Sequence, residues 1–198
     1  MAHHQEPQPL RPAELRGYGL RLRPWQPEDA GAVLRGLTDP EFLRWNTQLR
    51  PVADLSDAEE FIRTRADGWA SGAFAHFAVV EDGTVAGHVG ISMIEREMGS
   101  AMVGYWVVPE ARGRGVAGRA LELCTRWAFD EVGLYRLGLG HALGHEVSCR
   151  VAERAGYAFE GVLRGAMHES GRRDAFRDVH LHARLATDQP PSGYPSGR

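Results

Sequence analysis

The chain has 198 residues, a formal net charge of −3, and 43% hydrophobic against 25% charged residues, the balance of one globular domain with a sizeable core. So small a negative charge gives no footing for general binding to nucleic acid or to an anionic membrane surface, and the apolar runs fall far short of the ~18 residues of a membrane span. All 23 basic residues are arginine, which excludes a Schiff-base lysine and a phosphate loop ending in Gly-Lys.

Residues 1–14, rich in Pro, Gln and His, are expected to form a flexible lead-in, 15–186 one domain, and 187–198 (Pro, Gly and Ser) a disordered tail. The start of the chain lacks a signal pattern, so a cytoplasmic setting is expected. "LRLRPW" (Leu20–Trp25) alternates as a strand, and Pro27, Glu28 and Asp29 then open a helix with Ala30, Val33, Leu34 and Leu37 inward, stopped by Asp39-Pro40. Ser56 and Glu59 have the spacing of a capping box for a second helix that carries Ala58, Phe61, Ile62, Ala66 and Trp69.

Three strands follow at Phe74–Val80, Val85–Met93 and Ala101–Val108, the first two joined through the hairpin signal Asp82-Gly83. The third is almost wholly apolar, as a strand buried on both faces should be. Ala117, Leu121, Cys124 and Ala128 mark a helix, "RLGLGH" a strand, and Val147, Val151 and Ala155 a last helix, before two closing strands. About seven strands and four helices in this order make a mixed α/β sheet rather than a βαβ wheel. Cys124 and Cys149 fall in helices without a spaced metal-ligand partner, so two buried free thiols and no metal are expected.

Between the third strand and its helix stands "WVVPEARGRGVAG". A helix N-terminus carries amides without intrahelical acceptors, glycines let a phosphate approach them, and guanidinium forks suit phosphate oxygens. From glycine and charge alone, a solvated strand–helix connection accounts for the segment equally well. Gly113, Gly115 and Gly118 also fit a dinucleotide G-x-G-x-x-G frame, but no βαβ unit encloses them.

"GYWVVPEARGRGVAGRAL" resembles the acyl-CoA-binding motif of the GNAT superfamily of N-acetyltransferases, with Arg112, Gly115 and Ala117 at its three defining positions. "Gly-Tyr-Trp", "Pro-Glu-x-Arg-Gly" and the later "HEVSCRVAERAGYAFEGVLR" are similar to the RimJ/RimL subgroup. The resemblance covers about Leu20 to Leu185. It implies a GNAT-like fold whose cofactor is acetyl-CoA or another acyl-CoA, with no metal. The pantetheine arm would lie along Trp106, Val107 and Val108, and the pyrophosphate would be held by Arg112, Gly113, Arg114, Gly115, Val116 and Ala117.

It further implies Ser148 as hydrogen-bond or proton donor to the departing sulfur, and His145 where the family usually has asparagine, both contacting the coenzyme. Met102 stands where many relatives carry a glutamate that deprotonates the amine. His88, His141, Glu95 and Glu97 are the candidate substitutes. Trp45 and Tyr105 are the candidate acceptor-pocket residues, while Phe61, Trp69 and Tyr157 read as core. The expected partners are acyl-CoA and an amine, either a protein N-terminus or a small molecule. Relatives often pair, which leaves a homodimer open. A non-catalytic acyl-CoA sensor with the same fold is the alternative, favoured by the missing glutamate.

Overall fold

The computed structural model describes residues 9–169, 171–172 and 174–193. Among these residues eight strands form one sheet, β1 (Leu15–Gly17), β2 (Leu20–Pro24), β3 (Ala75–Glu81), β4 (Thr84–Glu95), β5 (Ser100–Val107), β6 (Arg136–Ala142), β7 (Ala158–His168) and β8 (Phe176–Leu185), in the order β1-β2-β3-β4-β5-β6-β8-β7. Five α-helices among the described residues pack on it: α1 (Ala30–Leu37), α2 (Pro40–Trp45), α3 (Leu55–Ser71), α4 (Val116–Asp130) and α5 (Glu146–Arg154). All strand pairs are antiparallel except β5 with β6. Among the described residues no helix is long and apolar enough to cross a membrane.

The extra strand and helix have local causes. Tyr18 (φ 53°) and Gly19 (φ 73°) turn the chain so that Leu15–Gly17 pairs back on β2. Asp39-Pro40 both ends α1 and starts α2: the Asp39 carboxylate accepts the Phe42 amide at 2.8 Å, and Pro40 takes the first helical position. The α3 cap lies two residues before the expected Ser56. Asp54 accepts the Asp57 amide, and the Asp57 carboxylate reaches back to the Ala53 amide. Leu10, within the expected lead-in, is buried, and its amide donates to the Trp69 carbonyl at 3.0 Å; residues 1–8 and 194–198 lie outside the described residues.

Alternation along the central strands sorts side chains into two clusters. Phe77, Val79, Val89 and Ile91 join Leu121, Cys124 and Trp127 of α4 in the larger one. Trp25, Ala78 and Val80 join Val33, Ala58 and Ile62 of α1 and α3 in the other. Trp69 and Tyr157 are core residues, at 2% and 1% exposure. A charged cluster is also interior: Glu122 of α4 receives Arg126 at 2.7 Å and pairs with the buried Arg184 of β8, which also donates to the Ala155 carbonyl. Breaking such a buried set from one side costs about 3–5 kcal/mol; here it ties α4, β8 and the end of α5 together.

β5 departs from the expectation of burial on both faces. It pairs with β6 only at Ser100, Ala101 and Met102, and from Gly104 onward its residues are partly or fully exposed. The β4–β5 ladder shifts register between Ser92 and Glu95, at a bulge beside the last paired residue, Met102. Bulges bend strands and increase twist, and here the bend sits where β5 leaves β6.

Candidate active site

Past Met102 a cleft of 640 Å³ opens between Val103–Val107 of β5 and Leu139–Ala142 of β6, completed by residues of α2, α4 and α5. On its other side β5 is still paired with β4, so its cleft edge presents main-chain polar groups that need partners. The Val107 carbonyl accepts Arg112 Nε at 3.3 Å. Met102 occupies the apex. Its sulfur lies over Gly138, where an added Cβ would sit 2.6 Å from it, so the apex is filled by a thioether braced on a glycine.

One wall carries the glycine–arginine turn. Gly113 and Gly115 have φ of 75° and 73°, yet an added Cβ at either would meet nothing within 4 Å. Left-handed backbone, rather than crowding, is what requires glycine there. Gly115 caps α4 without any side-chain acceptor, so first-turn amides are left for a ligand, at the positive end of the helix dipole. Gly113, Gly115, Val116 and Ala117 all line the cleft.

Both arginines are already engaged. Arg112 lines the cleft and is ion-paired to Asp39. Burial raises the Asp39 carboxyl, but Arg112 and the amides of Phe42 and Glu41 outweigh it and hold the group below its usual range. Arg114 is not among the lining residues and pairs with Glu81 at 2.9 Å, which also receives Arg119 at 2.5 Å. Val108 likewise falls outside the cleft: it is fully buried, with its amide donating to the Ala86 carbonyl. Trp106 and Val107 do line it.

Ser148, in the first turn of α5, is buried with its Oγ 2.7 Å from Tyr105 Oη. The two hydroxyls bridge β5 to α5 across the cleft. Burial pushes the Tyr105 phenol up to about 12, against the lowering effect of Ser148, so it stays protonated and able to donate. His145 stacks on Trp45 of α2, with ring centroids 4.8 Å apart and planes within 1°. Burial, helped by His141, lowers its pKa to about 4, leaving a neutral ring.

The substitute bases separate cleanly. His88 is buried on the other side of the sheet, where it stacks on Trp106 and accepts from Trp25 Nε1 at 3.2 Å. Glu95 and Glu97 are exposed and, like His88, not part of the cleft lining. His141 does line it, but its Nε2 faces His182 at 3.2 Å. Glu41, missed in the sequence because α2 was missed, lines the cleft and accepts Trp45 Nε1 at 2.7 Å. Phe42 beside it lies edge-on to Trp106. Cys149 is half-buried among three histidines distant in sequence, contrary to the expectation of an isolated buried thiol.

The family model for the acetyltransferase (GNAT) domain matches residues 19–158. The chain is similar to the putative ribosomal N-acetyltransferase YdaF of Bacillus subtilis, 31% identical over 90 residues, or 46% of this chain and 49% of that protein, so it spans about half of that relative's length. It is 27% identical over 168 residues, 84% of this chain and 92% of that protein, to the uncharacterized N-acetyltransferase p20 of Bacillus licheniformis. Among solved structures it matches Mycobacterium smegmatis RimJ in complex with CoA-disulfide with a TM-score of 0.79 at 25% identity, covering 92% of this chain and 91% of that one.

Proposed function

This chain belongs to the GNAT acetyltransferase family, and on that premise we propose that its cleft moves an acetyl group from acetyl-CoA directly to a primary amine, the α-amino group of a protein N-terminus. The observation that carries the reading is one continuous cleft with an uncapped helix N-terminus at Gly115 and a paired Tyr105–Ser148 hydroxyl couple in the same wall system. The first suits a pyrophosphate and the second a departing thiolate.

In the reaction the amine nitrogen attacks the thioester carbonyl, a C–N bond forms, and the C–S bond breaks. The leaving sulfur takes a proton from Ser148, which takes one in turn from Tyr105, and Tyr105 is reprotonated from water entering the cleft. The amine's own proton is lost toward Glu41, the carboxylate in the cleft, whose negative charge also draws a cationic amine. Positioning supplies most of the acceleration, since no covalent enzyme intermediate is required. Met102 at the apex takes no proton.

The acceptor class is supported by the likeness to YdaF, a putative ribosomal N-acetyltransferase. The same reading includes a homodimer, for which the exposed Phe159, Val162 and Phe176 on β7 and β8 offer apolar side chains on one side of the sheet. It also includes a cytoplasmic setting, consistent with two cysteines that do not pair with each other. The test is thiol release from acetyl-CoA over a panel of N-terminal peptides and small amines. Acetyl mass gained at peptide α-amines supports the proposal. Tight coenzyme binding without release on any acceptor overturns it in favour of a sensor.

A further inference from the structure

On the α5 side of β6 and β8, the ligand atoms of His141, Cys149, His180 and His182 all lie within 4.8 Å of one another. They come from three elements: His141 on β6, His180 directly opposite it on β8, His182 two residues along, and Cys149 on α5. No sequence spacing announces such a set, because sheet register and helix docking bring it together.

The hydrogen bonds around the rings state which nitrogens are bare. His141 Nδ1 lies 3.1 Å from the Ala142 carbonyl, and His182 Nδ1 lies 3.3 Å from the Tyr157 carbonyl. A carbonyl oxygen accepts only, so each Nδ1 carries the proton and each Nε2 keeps its lone pair. Those two Nε2 atoms face each other at 3.2 Å. Two lone pairs at that range repel unless a cation sits between them, or unless one ring becomes an imidazolium at a site where His182 is fully buried. His180 adds a buried Nδ1 without a hydrogen-bond partner.

The distances match a coordination shell. Zn–N bonds of about 2.0–2.1 Å in a tetrahedron place nitrogens about 3.3 Å apart, and a Zn–S bond of about 2.3 Å places sulfur about 3.6 Å from nitrogen. The observed separations are 3.2 Å between the two Nε2 atoms and 3.7 Å from Cys149 Sγ to His182 Nε2. Wider gaps within the set, up to 4.8 Å, would be closed on binding by Cys149 and His180, the two members that are only half-buried. The carbonyls of Ala142 and Tyr157 orient the rings, as outer partners do in protein metal sites.

We propose that His141, His180, His182 and Cys149 bind one divalent transition-metal ion, Zn²⁺ by ligand type. Binding converts the Cys149 thiol to a zinc-bound thiolate, and its proton leaves to water; no electrons move. Softer thiolate and imidazole donors with no carboxylate among the four disfavour Mg²⁺ and Ca²⁺. The ion would pin α5 to β6 and β8 one residue from Ser148, so its role is to hold the helix that carries the cleft hydroxyl.

The test titrates chelator-stripped protein with Co²⁺ and follows thiolate-to-cobalt charge-transfer absorption, with Zn²⁺ affinity measured against a chromophoric chelator. The expected result is one equivalent bound with a thiolate band, and a higher melting temperature with Zn²⁺. Cys149→Ser should abolish the band, and both Cys149→Ser and His180→Asn should weaken Zn²⁺ at least tenfold while the far-ultraviolet circular dichroism is retained. A variant lacking His3 and His4 should bind as the parent does. Absence of the thiolate band in the parent protein, or unchanged Zn²⁺ affinity in Cys149→Ser, overturns the proposal.

Discussion

Trp45 of α2 and His145 at the start of α5 lie face to face, 4.8 Å apart and within 1° of parallel. The contact closes the cleft between two elements that share no strand, and it buries the imidazole enough to lower its pKa to about 4. Trp45→Ala removes that cover. The His145 pKa should then climb toward the ordinary 6.5, read by NMR titration of the ring. The acceptor KM should rise about two- to tenfold, the worth of a stacked pair. An unmoved titration would mean that burial by Trp45 is not what keeps the ring neutral.

Gly115→Val places a β-branched residue at φ 73°, a strain on the order of 1–3 kcal/mol that the chain relieves by reshaping the α4 N-terminus. Coenzyme affinity by calorimetry should fall at least tenfold while the circular dichroism spectrum persists. Equal affinity would remove the turn from the binding site.

Ser148→Ala and Tyr105→Phe each delete one half of a 2.7 Å hydroxyl pair. Each should lower kcat about 10- to 100-fold, within the range of proton-transfer catalysis, with coenzyme Kd little changed. The double variant should be hardly worse than the slower single, because coupled groups act as a unit. Full additivity would separate the two roles.

His88 and His76, like His145, add to the acid sensitivity of the fold. Burial, first among the causes, holds His76 to about 3 and His88 well below its ordinary value. Unfolded, both take protons below about pH 6.5 while the folded state refuses them, so stability is full above 6.5 and declines as pH falls toward 3. Each such group steepens the decline by up to about 1.4 kcal/mol per pH unit. Denaturant melts from pH 7 to 4 should show this slope, and His88→Gln should make it shallower.

Gly138→Ala sets a methyl 2.6 Å from the Met102 sulfur. Overpacking of this kind costs about 1–3 kcal/mol, and pairing it with Met102→Ala should restore most of the lost melting temperature. A single variant as stable as the parent would show that Met102 is free to leave the apex.

Period and turn chemistry in the sequence were enough to place most elements, because alternation and the Asp82-Gly83 hairpin act locally; both residues take positive φ, 49° and 78°. The short α2 was hidden because Asp39-Pro40 reads equally as a stop and as a start, and Glu41 was lost with it. The Tyr105–Ser148 bridge spans 43 residues of chain, and the histidine–cysteine set joins β6, α5 and β8. Such encounters depend on how strands line up, which no spacing rule encodes. The arginines of the turn were visible, but their acidic companions Asp39 and Glu81 were not, since one belongs to the cap of α2 and the other to the end of β3.

Those companions change how a negatively charged visitor would be received. With Arg112 held by Asp39 and Arg114 by Glu81, little unspent positive charge waits at the doorway, and what would greet a phosphate there is main-chain N–H rather than a free guanidinium. Admission would then be an exchange of partners for Arg112 rather than a long-range capture. Raising ionic strength should slow it far less than two free guanidiniums would suggest.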